Sequence, residues 1–349
     1  MATTQTRESI SNFTSKDLVS DQDVRWCPGC GDYSILKQVQ KVLPELGLKK
    51  ENIVFISGIG CSSRFPYYMN TYGMHTIHGR ATAIATGLKV SRPELSVWVV
   101  TGDGDSLSIG GNHFIHTLRK NPDLNVLLFN NEIYGLTKGQ FSPTSPEGKV
   151  TKSSPMGSVE HPFNPLALAL GADATFVARS IDRDPKHLQD MIRRSTAHRG
   201  TSLLEIYQNC NVFNDGAFQS FTDRASKNDH ALFLEDGKPL LFGKDNCKGI
   251  RLRDGYRPQI VDLDSDGVSE SELWIHDEKD SLKAGMLARL SENEHGEKGD
   301  FPRAFGVFYA SERSCLEEAV QSQIENAFER MGEGDLDLLI RGDHVWEIK

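Results

Sequence analysis

Two polar turns in this sequence combine residue types that bind Mg²⁺ and phosphate. The turn TGDGDS (101–106) follows the apolar run SVWVV, and the turn NNEIYG (130–135) follows the apolar run NVLLF. Glycines let the backbone approach a diphosphate closely, and Asp103 offers a carboxylate oxygen of the kind that Mg²⁺ prefers. Asn131 can offer a second oxygen if the two apolar runs are neighbouring strands of one sheet. The two turns therefore predict a shared magnesium and diphosphate site.

Four cysteines could form a second site beside the first. Cys27 and Cys30 form a C-x-x-C pair in RWCPGCGDYS, a spacing that commonly binds zinc. Cys61 follows the first predicted strand and Cys210 follows the last, so both are expected at the sheet edge that carries the metal turns. Four thiols beside a diphosphate site suggest an electron acceptor, since zinc has no redox role. The sequence has no cysteine run of the bacterial ferredoxin type, so we predict one cluster only.

Alternating apolar runs and helical segments predict the fold that positions these residues. Strands are expected at NIVFIS, SVWVV, NVLLF, ATFVA and SLLEIY, with helices in the segments between them. Continuous Val, Leu and Phe runs separated by helices are typical of an α/β fold, a doubly wound parallel sheet covered on both faces. We predict an N-terminal arm (1–19), an α/β domain (20–215) and a smaller C-terminal extension (216–349) that has no catalytic motif of its own.

The overall composition argues against several classes of function. The 349 residues carry a net charge of -9, which disfavours nucleic acid as the main partner because phosphate backbones bind basic surfaces. No apolar run reaches the roughly 20 residues of a membrane helix, and the N-terminus lacks the apolar core of a secretion signal. We therefore expect a cytoplasmic protein without a membrane partner, whose six cysteines are thiols, metal ligands or redox centres rather than disulfides.

The GDG and NN turns resemble the signature of thiamine diphosphate enzymes. In that signature the metal is held by the aspartate, by the second asparagine and by a backbone carbonyl two residues further on; the matching positions are Asp103, Asn131 and Ile133. An isolated GDG is usually an ordinary turn, but the preceding strand, the spacing and the second strand end favour the thiamine interpretation. Nicotinamide binding is disfavoured, because SGIGCSSR has Ser63 where a dinucleotide motif has its third glycine.

Six motifs in matching order resemble the β subunits of 2-oxoacid:ferredoxin oxidoreductases: WCPGCG, GIGCSSR, HGRATAIATG, TGDGD, NNEIYGLTKGQ and YQNC. The resemblance spans the α/β domain and continues through GKPLLFGKD into the extension. It implies one [4Fe-4S] cluster held by Cys27, Cys30, Cys61 and Cys210. It also implies a thiamine diphosphate pocket lined by Ile59, Gly60, Cys61, Ser62, His78, Gly102, Gly104, Asp105, Gly135 and Leu136.

The same resemblance implies an activity and its partners. A 2-oxoacid would be oxidatively decarboxylated with thiamine diphosphate, and coenzyme A would take up the acyl group. Electrons would pass through the cluster to a separate ferredoxin, and the reverse reaction would carboxylate an acyl-CoA. By resemblance, an α subunit supplies the second thiamine-binding module, the activating glutamate and much of the coenzyme A site. An αβ heterodimer or its dimer is the implied assembly.

Residues after the NNEIYG turn, together with Arg64, could determine the choice of substrate. Leu136, Thr137 and Lys138 follow NNEIYG, and Arg64 follows the Cys61 loop. A cation within hydrogen-bonding reach could hold a carboxylate by a charge-assisted bond, although both cations could equally be solvated surface charges. The Leu-Thr-Lys arrangement resembles members that accept 2-oxoglutarate. We therefore predict 2-oxoglutarate as substrate, with pyruvate or a broad range of 2-oxoacids as the alternative.

Two interpretations from other classes stay open at this point. A non-redox thiamine decarboxylase or carboligase would explain the GDG and NN turns but would leave the four cysteines without a role. A zinc-stabilised binding protein would explain the cysteines but not the metal turn. Calcium binding at 262–270 is disfavoured, because the twelfth position of that loop is Leu273 instead of glutamate. His113 and His116 are spaced for a shared metal, but helix packing is the commoner role of such a pair.

Overall fold

The computed structural model describes residues 12–292, 300–346 and 348. Its strands are β1 (Ile53–Ser57), β2 (Tyr72–His75), β3 (Ser96–Gly102), β4 (Leu124–Asn130), β5 (Phe176–Ile181), β6 (Ser202–Tyr207), β7 (Ala231–Phe233), β8 (Leu241–Phe242), β9 (Lys248–Arg253), β10 (Arg257–Asp262) and β11 (Arg303–Ala310). Its α-helices are α1 (Asp32–Val42), α2 (Ala81–Ser91), α3 (Asp103–Leu107), α4 (Gly111–Lys120), α5 (Pro165–Gly171), α6 (Pro185–Ala197), α7 (Lys227–His230), α8 (Ser281–Arg289), α9 (Leu316–Met331) and α10 (Leu336–Arg341).

Eight strands form one sheet in the order β2-β1-β3-β4-β6-β5-β11-β7. The six strands β1 to β6 run parallel to one another, whereas β11 runs antiparallel to β5 and β7 pairs parallel with β11. Strands β8 to β10 form a separate small antiparallel sheet. The predicted doubly wound α/β fold is confirmed, and each of the five predicted strands takes part in the large sheet.

The side chains of β3 show how the sheet is covered on both faces. Val97 and Val99 pack into one apolar layer, together with residues of α2, α4, α5 and α8. Trp98 and Val100 point the other way, into a layer with residues of α1 and α6. Because successive side chains of a strand alternate between faces, a strand between two helical layers must be apolar throughout. This requirement explains the continuous apolar runs in the sequence.

Strands from the C-terminal part of the chain complete the large sheet. β11 pairs with β5, and β7 pairs with β11. The α/β domain and the extension therefore share one sheet, and the boundary at residue 215 stays a prediction. β2 was not predicted: its four residues are all exposed at the sheet edge, so it lacks the apolar signal of the buried strands.

The chain ends in two helices that are largely exposed. Glu317, at the start of α9, is buried and accepts a hydrogen bond from the backbone N–H of Asp123 at 3.3 Å. From residue 321 to residue 346 every residue is exposed. Within the described residues, no helix has the length and apolar character needed to cross a membrane.

Candidate active site

The loops that follow β1, β3, β4 and β6 meet at one edge of the sheet. These four strands are consecutive neighbours, so the condition for a shared magnesium site, that β3 and β4 be adjacent, is met. One cavity at this edge is lined by Ile59, Gly60, Cys61, Ser62, His78, Gly102, Asp103, Gly104, Asp105, Phe129, Asn131, Ile133, Tyr134, Gly135, Leu136 and Thr137. This cavity, called the thiamine cavity below after its predicted ligand, brings together every residue predicted for the thiamine pocket and its metal.

Asp103 is the first residue of α3, directly after β3, and its side chain is buried. Its Oδ2 atom accepts hydrogen bonds of 2.6 Å from the hydroxyls of both Ser142 and Thr144. Burial raises the pKa of the Asp103 carboxyl, and the hydroxyl donors oppose this effect in part. A buried carboxylate that is oriented by two donors suits a divalent cation, whose charge would offset the cost of burial.

The turn after β4 holds Asn131 in a defined orientation. Its Nδ2 donates to Oε1 of Gln208 at 2.9 Å, and its Oδ1 accepts from the backbone N–H of Ile133 at 3.2 Å. The Asn131 carbonyl accepts from Nδ2 of Asn214 at 2.8 Å. The donor set of Asp103, Asn131 and the Ile133 carbonyl is all oxygen and lines one cavity, so it fits Mg²⁺. These three residues are called the metal-diphosphate site below.

Two glycines shape the wall of the thiamine cavity. Gly60 has a φ of +123°, and a Cβ atom at this position would meet nothing within 4 Å. A Cβ atom at Gly104 would lie 2.2 Å from the ring of Tyr134, whose hydroxyl donates to the Gly104 carbonyl at 3.0 Å. Glycine is therefore required at 104 by the ring packed against it, and the open backbone at 60 is accessible to a bound diphosphate.

Asp105 connects the GDG turn to the turn after β2. Its Oδ1 accepts from the backbone N–H of Gly79 at 2.9 Å and lies 3.2 Å from Nδ1 of His78. Its Oδ2 accepts from the hydroxyl of Thr101 at 3.0 Å. The carboxylate is thus used within the chain, where it holds the His78 turn against the cavity. Direct contacts of Asp105 and His78 with a cofactor stay predictions.

The four cysteines predicted to hold a cluster are free thiols near the same edge, and they are called the cysteine site below: Cys27, Cys30, Cys61 and Cys210. Gly135 lies between two of them. A Cβ atom there would be 3.4 Å from Sγ of Cys61 and 3.6 Å from Sγ of Cys210, which places these sulfur atoms within about 7 Å of each other. Nε2 of Gln208 lies 3.3 Å from Sγ of Cys30, so the segment after β6 also contacts the C-x-x-C turn.

The surroundings of Cys30 and Cys61 disfavour their thiolate forms. Burial raises the pKa of Cys61 to about 12, and burial also raises the pKa of Cys30. The Asp32 carboxyl and the neighbouring thiols act in the same direction, because negative charges close together disfavour ionisation. Over the described residues, no group of three or more His, Cys, Asp or Glu side chains converges closely enough to hold a single metal ion.

The substrate candidates lie around the thiamine cavity but not all within it. Leu136 and Thr137 line the cavity itself. Gly60 and Leu136 also border a second, adjoining cavity, and Arg64 lines that one. Lys138 is exposed, with a φ of +77° in a tight turn, and lines neither of these two cavities. Arg64 is therefore a candidate cation next to the thiamine cavity, in a second cavity that Arg25, Asp21 and Asp23 also line.

Several polar contacts at this edge were not predicted from the sequence. The hydroxyls on Asp103 come from the run FSPTS, ten or so residues after the metal turn, and this cluster of hydroxyls was a signal that could have been used. Gln208 was missed although it is two residues from Cys210. Trp26 Nε1 donates to the Cys61 carbonyl at 2.6 Å, which ties the C-x-x-C segment to the loop after β1.

The fold and the cavity define a thiamine diphosphate-binding α/β domain. Residues 58–206 match the family described as "Thiamine pyrophosphate enzyme, C-terminal TPP binding domain". This range begins in the loop after β1 and ends in β6, so it contains the loops that form most of the cavity. The predicted class of cofactor is confirmed by this match.

Comparison with individual proteins narrows the class. The 2-oxoglutarate oxidoreductase subunit KorB of Mycobacterium tuberculosis is 50% identical over 337 residues, which cover 95% of this chain and 88% of that protein. The 2-oxoglutarate synthase subunit KorB of Archaeoglobus fulgidus is 44% identical over 185 residues, 53% of this chain and 69% of that protein. A 2-oxoglutarate:ferredoxin oxidoreductase from Magnetococcus marinus, solved with 2-oxoglutarate, coenzyme A and succinyl-CoA bound, superimposes with a TM-score of 0.74 at 32% identity and covers 95% of this chain and 97% of that chain.

The chain belongs to the KorB family, the β subunits of 2-oxoacid:ferredoxin oxidoreductases that include the 2-oxoglutarate enzymes. The family resemblance inferred from the six motifs is therefore confirmed, and so is the prediction that the chain is an enzyme subunit.

Proposed function

We propose that this chain is the β subunit of a reversible 2-oxoglutarate:ferredoxin oxidoreductase. The reaction converts 2-oxoglutarate and coenzyme A to succinyl-CoA and CO₂, and two electrons pass through one [4Fe-4S] cluster to ferredoxin. The observation that carries this proposal is the position of Gly135. It lines the thiamine cavity, and it also lies against the sulfur atoms of Cys61 and Cys210. The two proposed centres would thus be neighbours, and such proximity favours electron transfer between them.

At the metal-diphosphate site, the chain's task is to hold and orient a cofactor. When bound, thiamine diphosphate supplies the carbon nucleophile and the electron sink for decarboxylation. Asp103, Asn131 and the Ile133 carbonyl would hold Mg²⁺ against its diphosphate. The Gly60 and Gly104 backbones would border the cofactor, with Tyr134 keeping the GDG turn in place.

At the cysteine site, the chain's task is to hold iron. Positive charge from bound iron would stabilise the thiolates that burial otherwise disfavours, because metal binding and thiol ionisation are coupled. Zinc on the same thiols would clamp the segments together without carrying electrons. The position of Gly135 beside both sites favours the electron-carrying cluster.

The carboxylates of the thiamine cavity support the proposal that an α subunit supplies the activating glutamate. Among the described residues that line it, the carboxylates are Asp103 and Asp105, and both accept hydrogen bonds from within the chain. The glutamate that activates thiamine would therefore come from the α subunit. The relatives from Mycobacterium tuberculosis and Archaeoglobus fulgidus are themselves named as subunits. An αβ unit or its dimer, docking a separate ferredoxin, is the assembly we propose.

Two cations favour 2-oxoglutarate over pyruvate. Arg64 lines the cavity that adjoins the thiamine cavity at Gly60 and Leu136, where its guanidinium could meet a second carboxylate. Lys138, two residues after Leu136, is exposed, and its long side chain could reach the second carboxylate of a longer substrate. Both relatives named KorB are 2-oxoglutarate enzymes by name, which supports the same choice.

Anaerobic co-expression with the α subunit tests this function. We expect a brown complex with an absorbance band near ~400 nm, about four irons per β chain and no stoichiometric zinc. In an assay with coenzyme A and ferredoxin, kcat/KM for 2-oxoglutarate should exceed that for pyruvate. Zinc without iron would contradict the electron-transfer role, and equal kcat/KM values for the two substrates would leave a broad-range 2-oxoacid enzyme.

A further inference from the structure

A fully buried ion pair lies next to the end of β4, where the turn 130–135 begins. Arg179 of β5 and Glu205 of β6 are paired in the parallel register, and their side chains are 1% and 0% exposed. Nε of Arg179 donates to Oε2 of Glu205 at 2.6 Å. Removing two charges from water is costly, and an apolar pair of similar volume is often as stable. Stability alone therefore does not account for this pair.

Glu205 orients the last residue of β4. Nδ2 of Asn130 donates to Oε1 of Glu205 at 2.8 Å, so the amide oxygen of Asn130 points toward the metal turn. There it accepts from the backbone N–H of Glu132 at 3.2 Å and lies 3.0 Å from the hydroxyl of Thr144. That hydroxyl also contacts Oδ2 of Asp103 at 2.6 Å. The single proton of this hydroxyl goes to the closer Asp103, so the hydrogen bonds through Asn130 link Glu205 to the turn that carries Asn131, and Thr144 brings that turn next to Asp103.

Only a carboxylate at 205 satisfies both of its neighbours. One oxygen accepts from Arg179 and the other accepts from Asn130. A glutamine has one acceptor and one donor, so an amide oxygen facing Arg179 would turn an NH₂ group toward the NH₂ of Asn130. The Asn130 amide would have to flip, and the N–H of Glu132 would lose its acceptor.

We propose that Glu205 is a positioning residue of the metal-diphosphate site. Through Asn130 it sets the geometry of the turn 130–133, which carries Asn131 and the Ile133 carbonyl, and thereby the affinity for the divalent metal. This inference rests on the proposed magnesium and thiamine diphosphate site. Residues that orient metal ligands from outside typically change metal affinity by about 10–100-fold when they are replaced.

Mn²⁺ serves as the probe, titrated into the complex of the full chain with its α subunit in the presence of thiamine diphosphate. The electron paramagnetic resonance signal of free Mn²⁺ gives the dissociation constant. The variants are Glu205→Gln, the apolar pair Arg179→Met with Glu205→Leu, and Thr144→Val. The apolar pair removes both charges at similar volume, so it keeps the fold even where the single variant leaves the Arg179 charge unpaired and buried.

We expect the Mn²⁺ dissociation constant to rise about 10–100-fold in Glu205→Gln and in the apolar pair, and to rise in Thr144→Val. The matched control is Glu278→Gln, which breaks the 2.5 Å ion pair with Arg194 on α6 and should leave Mn²⁺ affinity unchanged. Wild-type affinity in the apolar pair would overturn the positioning role. Failure of the wild-type complex to bind Mn²⁺ with thiamine diphosphate would instead overturn the proposed cofactor site.

Discussion

The metal-diphosphate site and the cysteine site lie side by side at one sheet edge, but the chain arranges them in different ways. Asp103 accepts two hydroxyl hydrogen bonds of 2.6 Å, and Gln208 holds the amide of Asn131. These two proposed ligands are prearranged by hydrogen bonds of the chain itself. In the cysteine site, by contrast, burial raises the pKa values of Cys30 and Cys61, so the ligand form of each thiol depends on the charge of what it binds.

Because of this difference, a substitution should have a different effect in each site. A prearranged oxygen site can release and rebind a metal with its diphosphate, and a substitution there should change affinity by degrees. Cys30 and Cys61 depend on bound positive charge to ionise, so losing one ligand should remove the whole cluster. The four predictions that follow test this contrast, beginning with the largest expected effect.

Replacing one cysteine of the cysteine site should abolish the cluster. We expect Cys61→Ser to lose its iron and its band near ~400 nm, and to lose ferredoxin reduction by at least about 1000-fold, because one ligand of four is missing. Cys247→Ser, in the turn before β9, is the matched control and should keep full iron. Iron analysis and absorbance on both complexes check this, and full iron in Cys61→Ser would contradict the assigned ligand set.

Alkylation of the iron-free chain should show the raised thiol pKa directly. Only the thiolate reacts, and with a pKa of about 12 for Cys61 its rate at pH 8 should be about 1000-fold below that of an ordinary thiol. The rate should rise about tenfold per pH unit as the pH approaches 12. The exposed Cys27 should be alkylated first. Mass spectrometry of peptides after iodoacetamide treatment measures both rates, and similar rates at pH 8 would argue against the buried, ligand-dependent site.

Substitutions in the metal-diphosphate site should weaken cofactor binding by different amounts. Asp103→Ala should weaken Mg²⁺-dependent binding of thiamine diphosphate by about 100-fold, because it removes a charged ligand. Ser142→Ala removes one of the two hydroxyl donors to that carboxylate and should weaken binding less. Calorimetric titration at several Mg²⁺ concentrations checks the order of the two variants. Iron content should stay at the wild-type level in both, and its loss would show that the two sites are not independent.

The smallest expected effect concerns the substrate. Arg64→Met should raise KM for 2-oxoglutarate by about tenfold, since a charge-assisted hydrogen bond to the second carboxylate is lost. Lys138→Met should have a smaller effect, because its side chain lies outside both cavities. KM for pyruvate should be unchanged in each variant. An equal rise in KM for both substrates would assign these cations a role other than recognition of that carboxylate.

Sequence reasoning reached the parts of the site that depend on strand ends. The apolar runs of β3 and β4 are buried, so both strands could be predicted, whereas their adjacency was a condition that the sheet order then met. The contact of Ser142 with Asp103 could not, because it joins residues 39 positions apart through an irregular loop. The ion pair of Arg179 and Glu205 was hidden for another reason: charges inside two strands can be paired only when the strand order is known.

Transfer of electrons from substrate to the cysteine site is the central claim, and one measurement tests it most directly. The anaerobic αβ complex is mixed with 2-oxoglutarate and coenzyme A without ferredoxin, and the electron paramagnetic resonance signal of the cluster is recorded. We predict a reduced-cluster signal that 2-oxoglutarate produces in the wild-type complex and that is lost in Asp103→Ala. Release of CO₂ from 2-oxoglutarate with no change in the oxidation state of the iron would contradict the account.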